Sequence, residues 1–265
     1  MARLQVNGVD MAYSVAGNGP PLVLLHAGIA DRTMWEDVMP MLAGRFRVIA
    51  CDLRGFGETP LPDGPFVYAA DVAAMLDELG IERAHVIGVS MGGHVALDLA
   101  LARPDLVDRL VLVGAGIDGW DHEATLREAW AEEEAAFERG DLDEVAWMNV
   151  RTWLDGPGRD ENTVPAALRR RVYEMQRGAL DLENPAATGG WLTPSRRERL
   201  GDVAAPTLVL VGALDQRDFR RIARFLAAEI PGARFEELPG VAHLPPLERP
   251  EAFARTVLGF LDGGA

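Results

Sequence analysis

The chain has 265 residues, 48% of them hydrophobic and 25% charged, with a formal net charge of −15. That is length enough for one sizeable core in an ordinary globular protein. The acidic balance argues against a nucleic-acid or anionic-membrane surface, since phosphates need a cationic face. All 26 basic residues are arginine, which excludes phosphate-loop ATPases and lysine Schiff-base or pyridoxal-phosphate enzymes, all of which need a lysine amine.

The first residues carry no apolar signal-peptide core, and no apolar run approaches the roughly 20 residues needed to cross a bilayer. A cytoplasmic location is therefore expected. Cys51 is the single cysteine, so an intramolecular disulfide and a cysteine zinc site are both out. Its place after Arg47-Val48-Ile49-Ala50 reads as a packed thiol on a buried strand.

In chain order, Leu4–Val6 and Met11–Val15 read as a hairpin around Asn7-Gly8. Pro21–Leu25 is an apolar run without alternation, the sign of a strand buried on both faces. Similar runs recur at Phe46–Ala50, His85–Val89, Leu110–Val113 and Thr207–Val211, and Arg234–Leu238 is the last strand-like run. Helical spacing separates them, as at Val95, Leu97, Leu99 and Ala102 before Pro104, and at Ile222, Phe225 and Leu226. Such alternation predicts a mostly parallel sheet covered on both faces. Pro250–Leu261 reads as a closing helix.

The alternation stops between about Asp118 and Arg199. That stretch offers no plausible strand but has helical patterns at Glu123–Arg139 and Ala166–Leu182. About eighty residues are too many for a plain crossover. The expected division is therefore core 1–117, helical cap 118–200 and core 201–265, with the cap over the sheet's C-terminal edge, where open α/β sheets bind ligands.

The strand ending at Val89 runs into Gly88-Val89-Ser90-Met91-Gly92, with a helix directly after it. This is the G-x-S-x-G pattern in the strand–turn–helix context it needs. A serine at the apex must take a strained backbone, and glycines two residues away on each side let strand and helix pass closely. Only three serines exist in the chain, so a chance match had few opportunities. The plainer alternative is a glycine-rich turn.

With this pattern, Val241-Ala242-His243-Leu244-Pro245, Val211-Gly212-Ala213-Leu214-Asp215, His26-Ala27-Gly28-Ile29 and Cys51-Asp52-Leu53-Arg54-Gly55-Phe56-Gly57, the chain resembles the α/β-hydrolase superfamily over nearly its full length. It is most similar to the capped lactonase, esterase and non-heme haloperoxidase group. The resemblance implies Ser90 as nucleophile, His243 as general base and then acid, and Asp215 as the acid orienting it, with Asp218 an alternative. It implies an oxyanion hole from the backbone N–H groups of Gly28 and Met91, although Ala27 stands where glycine is commoner. Asp52 and Arg54 would fix loops beneath the site.

Other histidines read as structural. His26 belongs to a loop, His94 packs one turn into the helix after Ser90, and His85 and His122 are expected to be exposed. No metal spacing exists, and no cofactor is implied. Five of the six tryptophans, Trp120, Trp130, Trp147, Trp153 and Trp191, fall in the expected cap. Most should fill the cap's own core, while one or two line an apolar pocket with Ile29 and Trp35. Arg169-Arg170-Arg171 reads as a solvated helix face rather than a substrate clamp.

The expected function is a serine hydrolase acting on a small, apolar carboxylic ester or lactone through an acyl-enzyme. A C–C hydrolase or perhydrolase would use the same triad. A ligand receptor that kept the fold and lost the chemistry is the rival from another class. Aspartate-nucleophile dehalogenases and epoxide hydrolases are disfavoured by a serine at position 90.

Overall fold

The computed structural model describes residues 2–192 and 195–263. A hairpin opens the chain, β1 (Ala2–Val6) and β2 (Val9–Ala16), turning through Asn7 and Gly8, both at positive φ. Then follow β3 (Pro21–Leu25), α1 (Met39–Ala43), β4 (Arg47–Cys51), β5 (Gly64–Val67), α2 (Tyr68–Glu78), β6 (Ala84–Val89), α3 (Met91–Ala102) and β7 (Val107–Val113). Between β7 and the next strand of the main sheet lie α4 (Ala124–Glu138), α5 (Leu142–Asn149) with a π-helical turn over Val150–Asp155, α6 (Ala166–Asp181) and β8 (Ala187–Gly190). The chain closes with β9 (Thr207–Gly212), α7 (Arg217–Glu229), β10 (Arg234–Leu238), α8 (Pro245–Glu248) and α9 (Pro250–Leu261).

Eight strands form the main sheet in the order β1-β2-β4-β3-β6-β7-β9-β10. Its pairings from β4 to β10 are parallel, and only those of β2, with β1 and β4, are antiparallel. β3, β4, β6 and β9 are buried along most or all of their length, as their unbroken apolar runs require of strands covered on both faces. The chain steps from β3 to β4 on one side and then to β6 on the other, so strand order reverses at β3. The loops leaving β3 and β6 start side by side at that switch point, where such sheets bind ligands.

Two expectations change here. The stretch after β7 does contain a strand: β8 pairs in parallel with β5, from Gly64 opposite Ala187 to Val67 opposite Gly190. Its sequence, Ala-Thr-Gly-Gly, has no hydrophobic period, and a Cβ on Gly189 would lie 2.4 Å from the Phe66 carbonyl oxygen. The tryptophans also do not fill a private core. The insertion's own cluster is small, built on Ala136, Val145, Ala146 and Leu180, and holds no tryptophan. Val150, Trp153, Leu154 and Met175 instead join one cluster with Leu208, Phe219 and Phe253. Burying them there removes more apolar surface from water than a thin helical layer could alone.

Candidate active site

Leu25 of β3 lies opposite Gly88 of β6, so the turns leaving the two strands meet. Ser90 stands at the end of β6 with φ 52° and ψ −113°, and among the described residues only Asn7 is another non-glycine with positive φ. Its N–H donates to Val113 O at 2.8 Å, and its carbonyl accepts from Gly93 N and His94 N, which starts α3 at once. The flanking glycines are a steric necessity. A Cβ on Gly88 would fall 2.1 Å from Gly92 O, one on Gly92 would fall 2.3 Å from Leu25 O, and one on Gly93 would meet the Ala115 methyl at 2.6 Å. Strand and helix are therefore in backbone contact, and that contact holds the strained residue in place.

His243 lies in the loop after β10 and is 2% exposed. Its Nδ1 is 2.8 Å and 3.0 Å from the two carboxylate oxygens of Asp215, itself buried on the turn after β9. That contact places the ring proton on Nδ1, where it donates to the carboxylate. Nε2 is buried and has no hydrogen-bond partner among the described residues. Asp218 is placed elsewhere: its Oδ2 accepts from Glu123 N at 2.7 Å, holding the start of α4.

Three groups brace the histidine. Trp153 lies with its ring centroid 4.6 Å from the imidazole, and its carbonyl accepts from His243 N. Buried Glu248 accepts from Ala242 N at 2.9 Å and from Leu244 N at 3.3 Å, gripping the loop on both sides of His243, and pairs with Arg159 at 2.8 Å. Burial pushes its carboxyl above the ordinary range. Gly114, at φ 51°, leaves room for the pair, since a Cβ there would sit 3.1 Å from His243 Nδ1.

Gly28, on the loop after β3, lies beside Met91, and a Cβ on it would make ordinary contact with the Met91 Cβ at 3.4 Å. Met91 is the first residue of α3, where backbone N–H groups have no acceptor within the helix. Ala27 does not need glycine, because it is not among the positive-φ residues. His26, fully buried, ties this loop down: Leu53 N donates to its Nε2 at 2.9 Å, while its Nδ1 lies 2.8 Å from Ala27 O. Burial lowers its pKa, and accepting at Nε2 fixes the neutral Nδ1–H tautomer. Asp52 accepts from Arg32 N and Glu58 N at 2.7 and 2.8 Å, and Arg54 pairs with Asp71 at 2.8 Å. Both serve the loops, as the motif implied.

Ser90 and His243 face one cavity of about 230 Å³, with Gly28, Ile29 and Trp153 in its wall. Trp35, expected there, is absent from it. It is fully buried against Phe253, 6.1 Å between ring centroids, in the core below the loop. The cavity also departs from the apolar pocket expected, because Glu133, Asn149 and Gln176 of the insertion line it. No sequence signal pointed to them, since Glu132-Glu133-Glu134 reads as a solvated run.

The remaining polar residues lie apart. His94 packs edge-on to Trp191, and burial lowers its pKa to about 4. His85 and His122 are not exposed as expected: His85 is buried against Phe46 beside Asp108, and His122 is half-buried between Trp130 and Phe219. Both rings complete hydrophobic seams. Arg169 pairs with buried Asp155 and Arg171 with Asp37, and no arginine of that run lines the cavity. Cys51 is fully buried, its thiol pushed up to about 12.

The family described as alpha/beta hydrolase fold matches residues 20–250. Curated mycobacterial relatives, 44% identical, match 115 residues, so the alignment spans only a third of their length. Others match nearly throughout. A putative carbamate hydrolase, RutD, of Azorhizobium caulinodans is 31% identical, with 95% of this chain and 94% of that protein covered. A 2-hydroxy-6-oxononadienedioate/2-hydroxy-6-oxononatrienedioate hydrolase of Cupriavidus pinatubonensis is 30% identical over 91% and 86%. Among solved structures, the enol-lactonase of Burkholderia xenovorans LB400 superposes with a TM-score of 0.81 at 26% identity, covering 98% of this chain and 100% of that one. The sheet order, the serine elbow and these matches agree: the chain belongs to the α/β-hydrolase family.

Proposed function

We propose that this protein is a serine hydrolase that cleaves a small carboxylic ester or lactone through a Ser90–His243–Asp215 triad, with residues 118–200 acting as a cap over the site. The observation that carries the reading is the shared cavity. A serine held at a strained elbow and a histidine whose Nδ1 is engaged by a buried carboxylate both face it, and the free Nε2 has no other partner.

Ser90 Oγ attacks the carbonyl carbon while His243 Nε2 takes its proton, and Asp215 stabilises the imidazolium. The N–H groups of Gly28 and Met91 take up the charge on the carbonyl oxygen. As the tetrahedral adduct collapses, the C–O bond breaks and His243 returns its proton to the leaving oxygen. Water, activated by the same Nε2, then attacks the acyl-enzyme and releases the acid and free Ser90. Trp153 on the imidazole and the wall of the insertion limit water around the developing charges, which strengthens their interactions.

The test is hydrolysis of p-nitrophenyl esters from acetate to dodecanoate by wild type, Ser90→Ala and His243→Ala. Turnover abolished in both variants is expected. Undiminished turnover in Ser90→Ala would refute the triad, and the chain-length optimum sizes the pocket.

A further inference from the structure

The part of the wall contributed by the insertion is polar and includes one carboxylate. Glu133 projects from α4 and Gln176 from α6 into the cavity that holds Ser90 and His243. Asn149, at the end of α5, donates from Nδ2 to Glu133 Oε1 at 2.7 Å and to Val145 O at 3.0 Å, while its Oδ1 accepts from Trp153 Nε1 at 3.1 Å. Its amide is thereby oriented, its donors are spent and Glu133 is held in place. Gln176 is 7% exposed, and its Oε1 is buried without a hydrogen-bond partner among the described residues. A buried acceptor without a partner is costly, and a ligand with a donor removes that cost. No arginine lines the cavity, and this chain has no lysine to offer.

Resting on the hydrolase reading above, we propose that Glu133 and Gln176 form a subsite for a hydrogen-bond-donating substituent of the substrate, an ammonium, hydroxyl or amide N–H, and that a carboxylate substituent is rejected there. The burial that raises the Glu133 pKa also removes the water that would screen its charge from a bound ion. A substrate anion would meet the Glu133 carboxylate, and no arginine among the described residues lines the cavity to offset it. The subsite thus separates ligands that the Ser90 machinery alone would treat alike, and it uses repulsion as well as attraction to do so.

The test needs no knowledge of the natural ester. Fluorophosphonates of equal length end in methyl, hydroxyl, ammonium or carboxylate, on the alkyl or on the alkoxy arm, and their rates of labelling are followed by intact mass. Ser90→Ala serves as the blank. In wild type the ammonium probe labels at least tenfold faster than the carboxylate probe on one arm. Glu133→Gln, which keeps an oxygen for Asn149, shrinks that ratio, while Gln176→Glu widens it. Equal rates for ammonium and carboxylate probes on both arms, or a ratio that neither substitution moves, overturn the subsite and leave the hydrolase reading standing. Folded wild type that no probe labels at Ser90 overturns both.

Discussion

Gly88→Ala tests whether backbone contact holds the serine elbow. The new Cβ would lie 2.1 Å from Gly92 O and 2.4 Å from Gly92 C, where a Cβ contact needs at least 3.0 Å. The shortfall is roughly 1 Å, and it falls between two backbones, so no side chain can yield. β6 and α3 must separate, and overpacking of this kind costs about 1–3 kcal/mol, here at the upper end. For a chain of this size that lowers Tm by roughly 5 °C. Ser90 moves with α3, and a misplacement on the order of 1 Å costs about a hundredfold in kcat/KM. Gly178→Ala is the control. Gly178 is exposed in α6, and a Cβ there would meet nothing within 4 Å, so it should stabilise by about 0.5–1 kcal/mol. Urea unfolding and p-nitrophenyl ester turnover read both variants. A Gly88→Ala protein as stable and active as wild type would refute the claim that close approach imposes the strained serine.

Asp215→Ala should lower kcat on the order of 10³–10⁴-fold, as expected when the orienting acid is lost. Asp218→Ala should spare kcat and cost about 1–2 kcal/mol, because it strips the acceptor from Glu123 N; the reverse ranking of rates would move the acid to 218. Glu248→Ala leaves two N–H groups and Arg159 unpaired and should destabilise by about 3 kcal/mol. Its kcat should fall more than its KM rises, and Glu248→Gln should recover most of the rate; equal loss in both variants would show that the carboxylate acts by charge rather than by holding the loop. His94 has a folded pKa of about 4, below its ordinary 6.5, so between those values the unfolded chain binds more protons and stability falls as pH drops. Wild type should lose about 2–3 kcal/mol more than His94→Leu between pH 6.5 and 4.5, measured by urea unfolding; parallel losses would refute the assignment.

Local chemistry made much of this protein legible. Pro21–Leu25 and Pro250–Leu261 have the boundaries their sequences predict, because a doubly covered strand must be apolar throughout and a proline-initiated helix announces its start. Gly88 and Gly92 were legible because a backbone crossing that tight leaves no room for a side chain. β5 and β8 were not, since four residues rich in glycine and proline have no period and pair only because the fold brings them together. Trp35 and Trp153 are chemically equal in sequence, and the tertiary structure alone sends one beneath the loop and the other onto His243. Likewise Asp215 and Asp218 differ by three positions, yet one meets the imidazole and the other α4. Glu133, Asn149 and Gln176 come from three helices, and nothing along the chain marks them as neighbours. Sequence determines which chemistry a segment carries, whereas convergence across distant segments is decided by packing, because burial rewards the whole arrangement and no single residue encodes it.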